Sequence, residues 1–261
     1  MVLRVDTYEK FISDLKRVFD LDLTGYKRPQ MERRINSLMR VLKIEGYDAF
    51  INEMKGEQAI FNRFLDHLTI NVSEFFRNQA QWDVLKEKII PDLLTKSSEL
   101  KIWSAGCSTG QEPYSLAMLM EENFPRVKYS ILASDFDIRV LDKAKTGKYT
   151  EREVAGMDNR YLSKYFSKSN DEYNILESLK RKISFKKHNL ITERFDSGFD
   201  LILCRNVVIY FTEETKAELY KNFFNALKSG GILFTGSTEQ IITAREIGYS
   251  SAAIFFYQKP M

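Results

Sequence analysis

The stretch Leu100-Lys-Ile-Trp-Ser-Ala-Gly-Cys-Ser-Thr-Gly-Gln-Glu-Pro places Gly106 and Gly110 four apart after an apolar run, with the carboxylate of Glu112 directly before Pro113. A strand that enters a glycine turn and then a helix opened by proline is the layout of a nucleotide-cofactor loop. The spacing is not G-x-G-x-x-G, and Glu112 occupies the helix N-terminus where a pyrophosphate would sit, so anion would meet anion and NAD and FAD are disfavoured. A cofactor with cationic groups, such as the sulfonium and ammonium of S-adenosylmethionine, suits that carboxylate, and Gly106 and Glu112 become candidate cofactor residues. The plainer alternative is a structural turn in which Glu112 complements the helix dipole. Asp135, 25 residues beyond Gly110 at the end of the next apolar run, stands where an acidic residue accepts hydrogen bonds from ribose hydroxyls. Asp137 is then left to cap the following helix. A third cluster, Cys204-Arg-Asn-Val-Val-Ile-Tyr, follows a later strand. Ligands of open α/β sheets bind at the carboxyl ends of strands, so Arg205, Asn206 and Tyr210 are expected to face cofactor or substrate.

Composition narrows the chemistry. Two cysteines, Cys107 and Cys204, and two histidines, His67 and His188, cannot assemble a disulfide framework or the usual zinc spacings, so no metal is expected. A net charge of +3 over 261 residues gives no argument for nucleic acid. No run of 18 uncharged apolar residues occurs, and the charged first ten residues do not read as a signal peptide. The expectation is a cytoplasmic protein without membrane insertion.

These residues must be held by elements, and the chain changes character near residue 95. Before it, apolar residues recur every three or four positions. Asp6 and Glu9 suggest a capping pair ahead of Tyr8, Phe11, Ile12, Leu15, Val18 and Phe19. After Pro29, Met31, Ile35, Leu38 and Leu42 form a stripe, with Arg33 and Arg40 pointing away from it and Arg34 on its flank. Beyond, strand-length runs at Leu100–Ala105, Tyr129–Ser134, Ile183–Lys187, Phe199–Cys204, Gly231–Thr235 and Ile254–Lys259 alternate with helical patterns. That alternation predicts an α/β fold with a doubly wound parallel sheet. The expected organisation is a helical domain over 1–80, a linker helix over 81–98, and a ligand-binding domain over 99–261 with an inserted segment over 147–181.

Taken together, Asn71-Val-Ser-Glu-Phe-Phe-Arg77, Trp103 to Ser115, Ala133-Ser-Asp-Phe-Asp137, His188-Asn-Leu190 and Cys204 to Phe211 resemble the chemotaxis receptor methyltransferases, the CheR family. The resemblance runs from the N-terminal helices to Gly236-Ser-Thr-Glu239 and the final strand. It implies a Rossmann-like class I methyltransferase sheet with a small all-helical N-terminal domain and a small β subdomain. It also implies transfer of a methyl group from S-adenosylmethionine to glutamate side chains on the cytoplasmic helical bundles of chemoreceptors, leaving S-adenosylhomocysteine. By motif it assigns Asn71, Ser73 and Arg77 to the cofactor, together with Glu112, Asp135, Asn189, Leu190, Arg205 and Asn206. Arg33, Arg34 and Arg40 become a basic face for acidic receptor bundles. Tyr210 and Arg77 are the donors expected to hold the acceptor carboxylate. Phe166 to Ile175 is short and lacks glycine, so tethering to a receptor's C-terminal peptide is not expected. The alternatives are a non-catalytic adaptor that binds the cofactor and a nucleic-acid methyltransferase. The second lacks the proline-containing motif such enzymes carry after the fourth strand.

Overall fold

Apolar side chains spaced by three and four build four helices at the start of the chain: α1 (Tyr8–Phe19), α2 (Arg28–Leu42), α3 (Tyr47–Gly56) and α4 (Gln58–Leu68). The computed structural model describes residues 6–68 and 73–261; Asn71 lies outside them. The chain divides into two compact units, one holding these helices together with Tyr210–Lys216, the other comprising Val72–Ile209 and Ala217–Met261.

In the helical unit Phe11, Phe50 and Phe64 meet ring to ring at 5.7–6.3 Å, and Met31, Ile35 and Leu38 are buried as the stripe requires. The expected Asp6–Glu9 cap is corrected. Thr7 caps α1 by accepting from the Lys10 N–H at 3.3 Å. Asp6 instead receives the N–H groups of Tyr47 and Asp48, at 2.8 and 3.2 Å, at the start of α3. Gly46 precedes that helix with φ +86°, and a Cβ there would lie 2.6 Å from Asp6 Oδ2. Only glycine leaves room for this remote cap. The three arginines of α2 also separate. Arg34 donates through Nε to the His67 carbonyl at 2.8 Å and also through Nη2, satisfying an orphan carbonyl in the last turn of α4. Arg33 and Arg40 are exposed. The segment Tyr210–Lys216 joins this unit through a bridge between Tyr26 and Phe211, whose rings lie edge to face at 5.0 Å. The Lys27 N–H also donates to the Tyr210 carbonyl at 2.9 Å.

In the second unit the helix α5 (Gln79–Val84) continues through a π turn, Leu85–Ile89, into α6 (Ile90–Leu94), with Trp82, Leu85, Ile89, Ile90 and Leu93 in the core. Then follow β1 (Glu99–Ala105), α7 (Gln111–Asn123), β2 (Lys128–Asp135) and α8 (Ile138–Thr146). An insertion of three antiparallel strands comes next, β3 (Lys148–Thr150), β4 (Phe166–Ser169) and β5 (Glu172–Ile175), in the order β3-β5-β4. The main sheet resumes with β6 (Ile183–Lys187), β7 (Phe199–Cys204), β8 (Leu227–Thr235), β9 (Ser250–Ala253) and β10 (Phe256–Gln258). Its order is β6-β2-β1-β7-β8-β10-β9. β1, β2, β6, β7 and β8 pair in parallel, and β7 is buried along its whole length. Burial on both faces is expected of a central parallel strand, and the one charged residue of β7, Asp200, is paired with Lys228 and the Lys101 N–H. The closing strand expected over Ile254–Lys259 is present but shorter, as β10, and an unexpected strand, β9, precedes it: Phe255, at φ +69°, turns the chain between the two, and both pairings of β10 are antiparallel rather than parallel. Among the described residues no helix is long and apolar enough to cross a membrane.

Candidate functional site

The carboxyl ends of β1 and β2 are bound together by the loop between β1 and α7. The N–H groups of Gly106 and Cys107 both donate to the Ser134 carbonyl, at 2.8 and 2.9 Å, and the Ser108 N–H donates to Asp135 Oδ2 at 2.9 Å. Gly106 has φ +80°, and a Cβ on it would lie 2.5 Å from Val207 Cγ2, so the position needs glycine on two counts. Gly110 meets the same two conditions: its φ is +95°, and a Cβ there would lie 2.9 Å from Ala144 Cβ and 3.0 Å from the Tyr149 hydroxyl. Tyr149, from the inserted sheet, donates to the Thr109 carbonyl at 2.7 Å and braces the loop from outside.

Glu112 lies in the first turn of α7. Ser104 Oγ donates to its Oε1 at 2.8 Å, and Arg205 Nη1 is 3.4 Å from its Oε2. Burial raises its carboxyl above the usual range, against the pull of Arg205 and Ser104. Asp135 takes the Ser108 N–H on one oxygen and the Asp137 N–H, at 3.1 Å, on the other. Its carboxyl is raised to about 6 by burial, only partly opposed by these backbone donors. Asp137 caps α8 through the Arg139 N–H at 2.9 Å, as its position suggests. Burial, with the nearby carboxylates of Asp135 and Glu112 adding to it, raises the Cys107 thiol well above its usual range, which fits a packed side chain rather than a thiolate nucleophile. The 188–190 segment joins the same edge, since the His188 N–H donates to the Asp135 carbonyl at 2.9 Å. Asn189 Oδ1 accepts from the Ile191 N–H at 2.9 Å, which leaves its amide NH2 for other work, and Leu190 is buried.

Arg205 departs from its expected orientation toward a ligand. It is 7% exposed and its Nη2 donates to the Arg77 carbonyl at 2.7 Å, Gln81 Oε1 at 2.9 Å and Asn78 Oδ1 at 3.3 Å. The guanidinium lies 4.7 Å from the Phe234 ring centre and 5.6 Å from that of Trp82. It therefore spans from Glu112 to the turn ahead of α5, and five donors on a rigid plane make arginine the side chain for such a strut. That turn carries Phe76 and Asn78 at φ +51° and +63°. The Phe76 N–H donates to Ser115 Oγ at 2.9 Å, and the Trp82 indole donates to the Arg77 carbonyl at 3.0 Å. Ser73 and Arg77 are both partly exposed at this turn. Asn206, also partly exposed, follows Arg205 at φ +61°.

The second unit thus brings Gly106, Glu112, Asp135, Asn189 and Leu190 to the carboxyl edge of its parallel strands, with Arg77 and Asn206 on turns joined by Arg205. Tyr210, Arg33, Arg34 and Arg40 belong to the helical unit. Sequence reasoning missed Ser104, Gln81 and Glu239. Ser104 left a local signal, a polar residue interrupting the apolar run of β1, and Glu239 closes the Gly236-Ser-Thr-Glu239 motif without its spacing showing a role.

Residues 71–253 match the CheR methyltransferase SAM binding domain, and residues 6–69 match the CheR methyltransferase all-alpha domain. A chemotaxis protein methyltransferase of Listeria innocua is 41% identical over 253 residues, 97% of each chain. One of Borreliella burgdorferi is 34% identical, covering 96% of this chain and 93% of its own. With both units matched to the two domains of one family, and relatives aligned along nearly the whole chain, the protein belongs to the CheR methyltransferases, enzymes that use S-adenosylmethionine.

Proposed function

We propose that this enzyme methylates glutamate side chains on the cytoplasmic helical bundles of chemoreceptors, giving glutamate methyl esters, and that it works in the cytoplasm. The observation that carries the cofactor part of this reading is the pair of carboxylates, Glu112 and Asp135, set around one glycine loop with acceptor capacity that their protein donors do not fill. That pair of acceptors fits a ligand with an ammonium group and vicinal hydroxyls to donate to it. In this reading Glu112 holds the ammonium of S-adenosylmethionine and Asp135 its ribose. Asn189 and Leu190 lie near its adenine, Gly106 lets the loop after β1 turn against Val207 and present its backbone, and Asn71, Ser73, Arg77 and Asn206 complete the contacts. Arg205 acts from behind, by holding Glu112 and the Arg77 turn. The cofactor supplies a methyl group activated by positively charged sulfur.

The protein's share of catalysis is then placement. A glutamate acceptor has a reference pKa of about 4.3 and is ionised at pH 7, so no general base is needed. Alignment and removal of water can supply roughly 7–11 kcal/mol. Tyr210 and Arg77 are proposed to orient the acceptor carboxylate, the tyrosine hydroxyl without the tight ion pairing that would blunt a nucleophile. Tyr210→Phe is expected to lower kcat about tenfold, the equivalent of one hydrogen bond of about 1.4 kcal/mol, with cofactor affinity kept. Single-turnover assays check this, and a normal kcat removes the hydroxyl from the mechanism.

Methyl transfer from radiolabelled S-adenosylmethionine to receptor cytoplasmic fragments, with RNA in parallel, tests the reading as a whole. Base-labile label on the fragments alone supports it. Label on RNA favours a nucleic-acid enzyme, and cofactor binding without transfer favours an adaptor. The connection between β4 and β5 is only Asn170 and Asp171, and peptide tethering forms no part of the proposal.

Substrate selection is assigned to α2, in a form the fold narrows. Arg34 is engaged by His67, whereas Arg33 and Arg40 stand exposed and suit an acidic bundle. Reversing Arg33 and Arg40 to glutamate is expected to raise KM for receptor fragments severalfold at low salt and flatten the salt dependence of kcat/KM. Cofactor binding stays unchanged. A wild-type KM at low salt would move the docking surface elsewhere.

A further inference from the structure

Glu239 has no part in the reading above, yet its carboxylate is buried, 4% exposed, and organises the turn after β7. Its Oε2 accepts from the Asn206 N–H at 2.5 Å and the Gly236 N–H at 2.9 Å, and its Oε1 accepts from the Val208 N–H at 2.9 Å. Two N–H groups from the turn after β7 and one from the end of the neighbouring β8 thus converge on one side chain. The packing around it is tight: a Cβ on Gly236 would lie 2.4 Å from Glu239 Oε2 and 2.9 Å from the Asn206 nitrogen. The loop that carries Glu239 is itself fixed from the antiparallel end of the sheet. The Ile241 N–H donates to the Tyr257 hydroxyl at 2.9 Å, and Tyr257 pairs with Leu233 across β10 and β8. Asn206 sits in the left-handed region at φ +61°, a conformation that costs a non-glycine residue free energy and persists only where the surroundings impose it. Asparagine is among the few non-glycine residues that adopt this conformation readily, and a carboxylate 33 residues away holds it there by accepting its N–H.

We infer that Glu239 is a positioning residue of the cofactor site: by gathering the N–H groups of Asn206, Val208 and Gly236 it sets the turn from which the Asn206 side chain is presented. The inference rests on the proposal that Asn206 contacts the cofactor. A carboxylate is required because it accepts through both oxygens, whereas a glutamine of the same shape turns an NH2 group toward one of the backbone donors.

The test is a double-substitution cycle read by calorimetric binding of S-adenosylhomocysteine. Glu239→Gln is expected to weaken binding about tenfold, as is Asn206→Ala. The double variant is expected to bind no more weakly than the poorer single one, because Glu239 acts through Asn206. In steady-state assays Glu239→Gln should raise KM for the methyl donor about tenfold while kcat at saturation changes less than about threefold. Unchanged binding by Glu239→Gln, or factors that multiply in the double variant, would overturn the inference. Should the variant not fold, amide hydrogen exchange on the wild-type enzyme decides. The Asn206 and Val208 N–H groups are expected to exchange as slowly as those of β7, and exchange at loop rates would refute the clamp. Loss of S-adenosylhomocysteine binding by the wild type would count against the cofactor assignment, a separate result from either of these.

Discussion

Replacing Arg205 by leucine is expected to destabilise the protein by about 3–5 kcal/mol, the cost of removing one partner from a buried charged pair. The loss is large because the guanidinium serves three directions at once: Glu112 Oε2 at 3.4 Å, the Arg77 carbonyl at 2.7 Å and Gln81 Oε1 at 2.9 Å. Leucine would fill part of the volume against Phe234 and Trp82, but it would leave the Glu112 charge and the Gln81 acceptor unpaired. Urea unfolding at pH 7 measures this as a lower midpoint with an unchanged slope. The deficit should also depend on pH in a defined sense. Arg205 holds the Glu112 pKa down against the larger upward push of burial, so its removal sends that pKa further up. Below the new value Glu112 is neutral in the fold and needs no counter-charge. The gap between variant and wild type is therefore widest at neutral pH and narrows as the solution is acidified. A variant as stable as wild type at pH 7 would mean that the strut contributes nothing.

The second large effect concerns Asp135. Asp135→Ala is expected to weaken S-adenosylmethionine binding by about 1.5–3 kcal/mol, the range for hydrogen bonds to a charged group, or roughly 10 to 150 fold in Kd. The free enzyme should show a matching pH dependence. Burial raises the Asp135 carboxyl to about 6, and a protonated carboxyl loses acceptor capacity toward a diol. Affinity should thus strengthen as pH rises through about 6, level off above it, and lose that step in the alanine variant. The sign for folding is opposite. A carboxyl whose pKa is higher in the fold than in the unfolded chain contributes stability that is fully present below the unfolded value and lost as pH rises through about 6. The native protein thus carries this aspartate at a cost at neutral pH, as expected of a group kept for binding. Calorimetric titrations between pH 5.5 and 8 check both parts, and a folded variant with wild-type affinity would remove Asp135 from the site.

Much of this protein was legible along the chain because the relevant physics is local. Period-3.6 stripes such as Met31, Ile35 and Leu38 and buried runs such as Phe199–Cys204 determine helix and strand through their own side chains. The glycine loop with Glu112 and Pro113, and Asp135 at the next strand end, follow from the chemistry of one strand–turn–helix unit, and the sequence alone pointed away from a dinucleotide. Tertiary structure decided which distant backbone group each buried polar side chain serves. Asp6 caps a helix beginning 41 residues later, Arg34 ties down a carbonyl 33 residues away, Arg205 reaches back 128 residues to Arg77, and Glu239 clamps a turn 33 residues before it. A buried donor or acceptor must find a partner. Hydropathy and spacing mark such a residue only as polar, and the partner exists only once sheet order has brought the two strand ends together. The same holds for Tyr210, whose segment joins the helical unit through Tyr26 and Lys27, and for β9, a short Ser-Ser-Ala-Ala strand with no hydrophobic signal of its own that a left-handed residue at Phe255 folds back against β10.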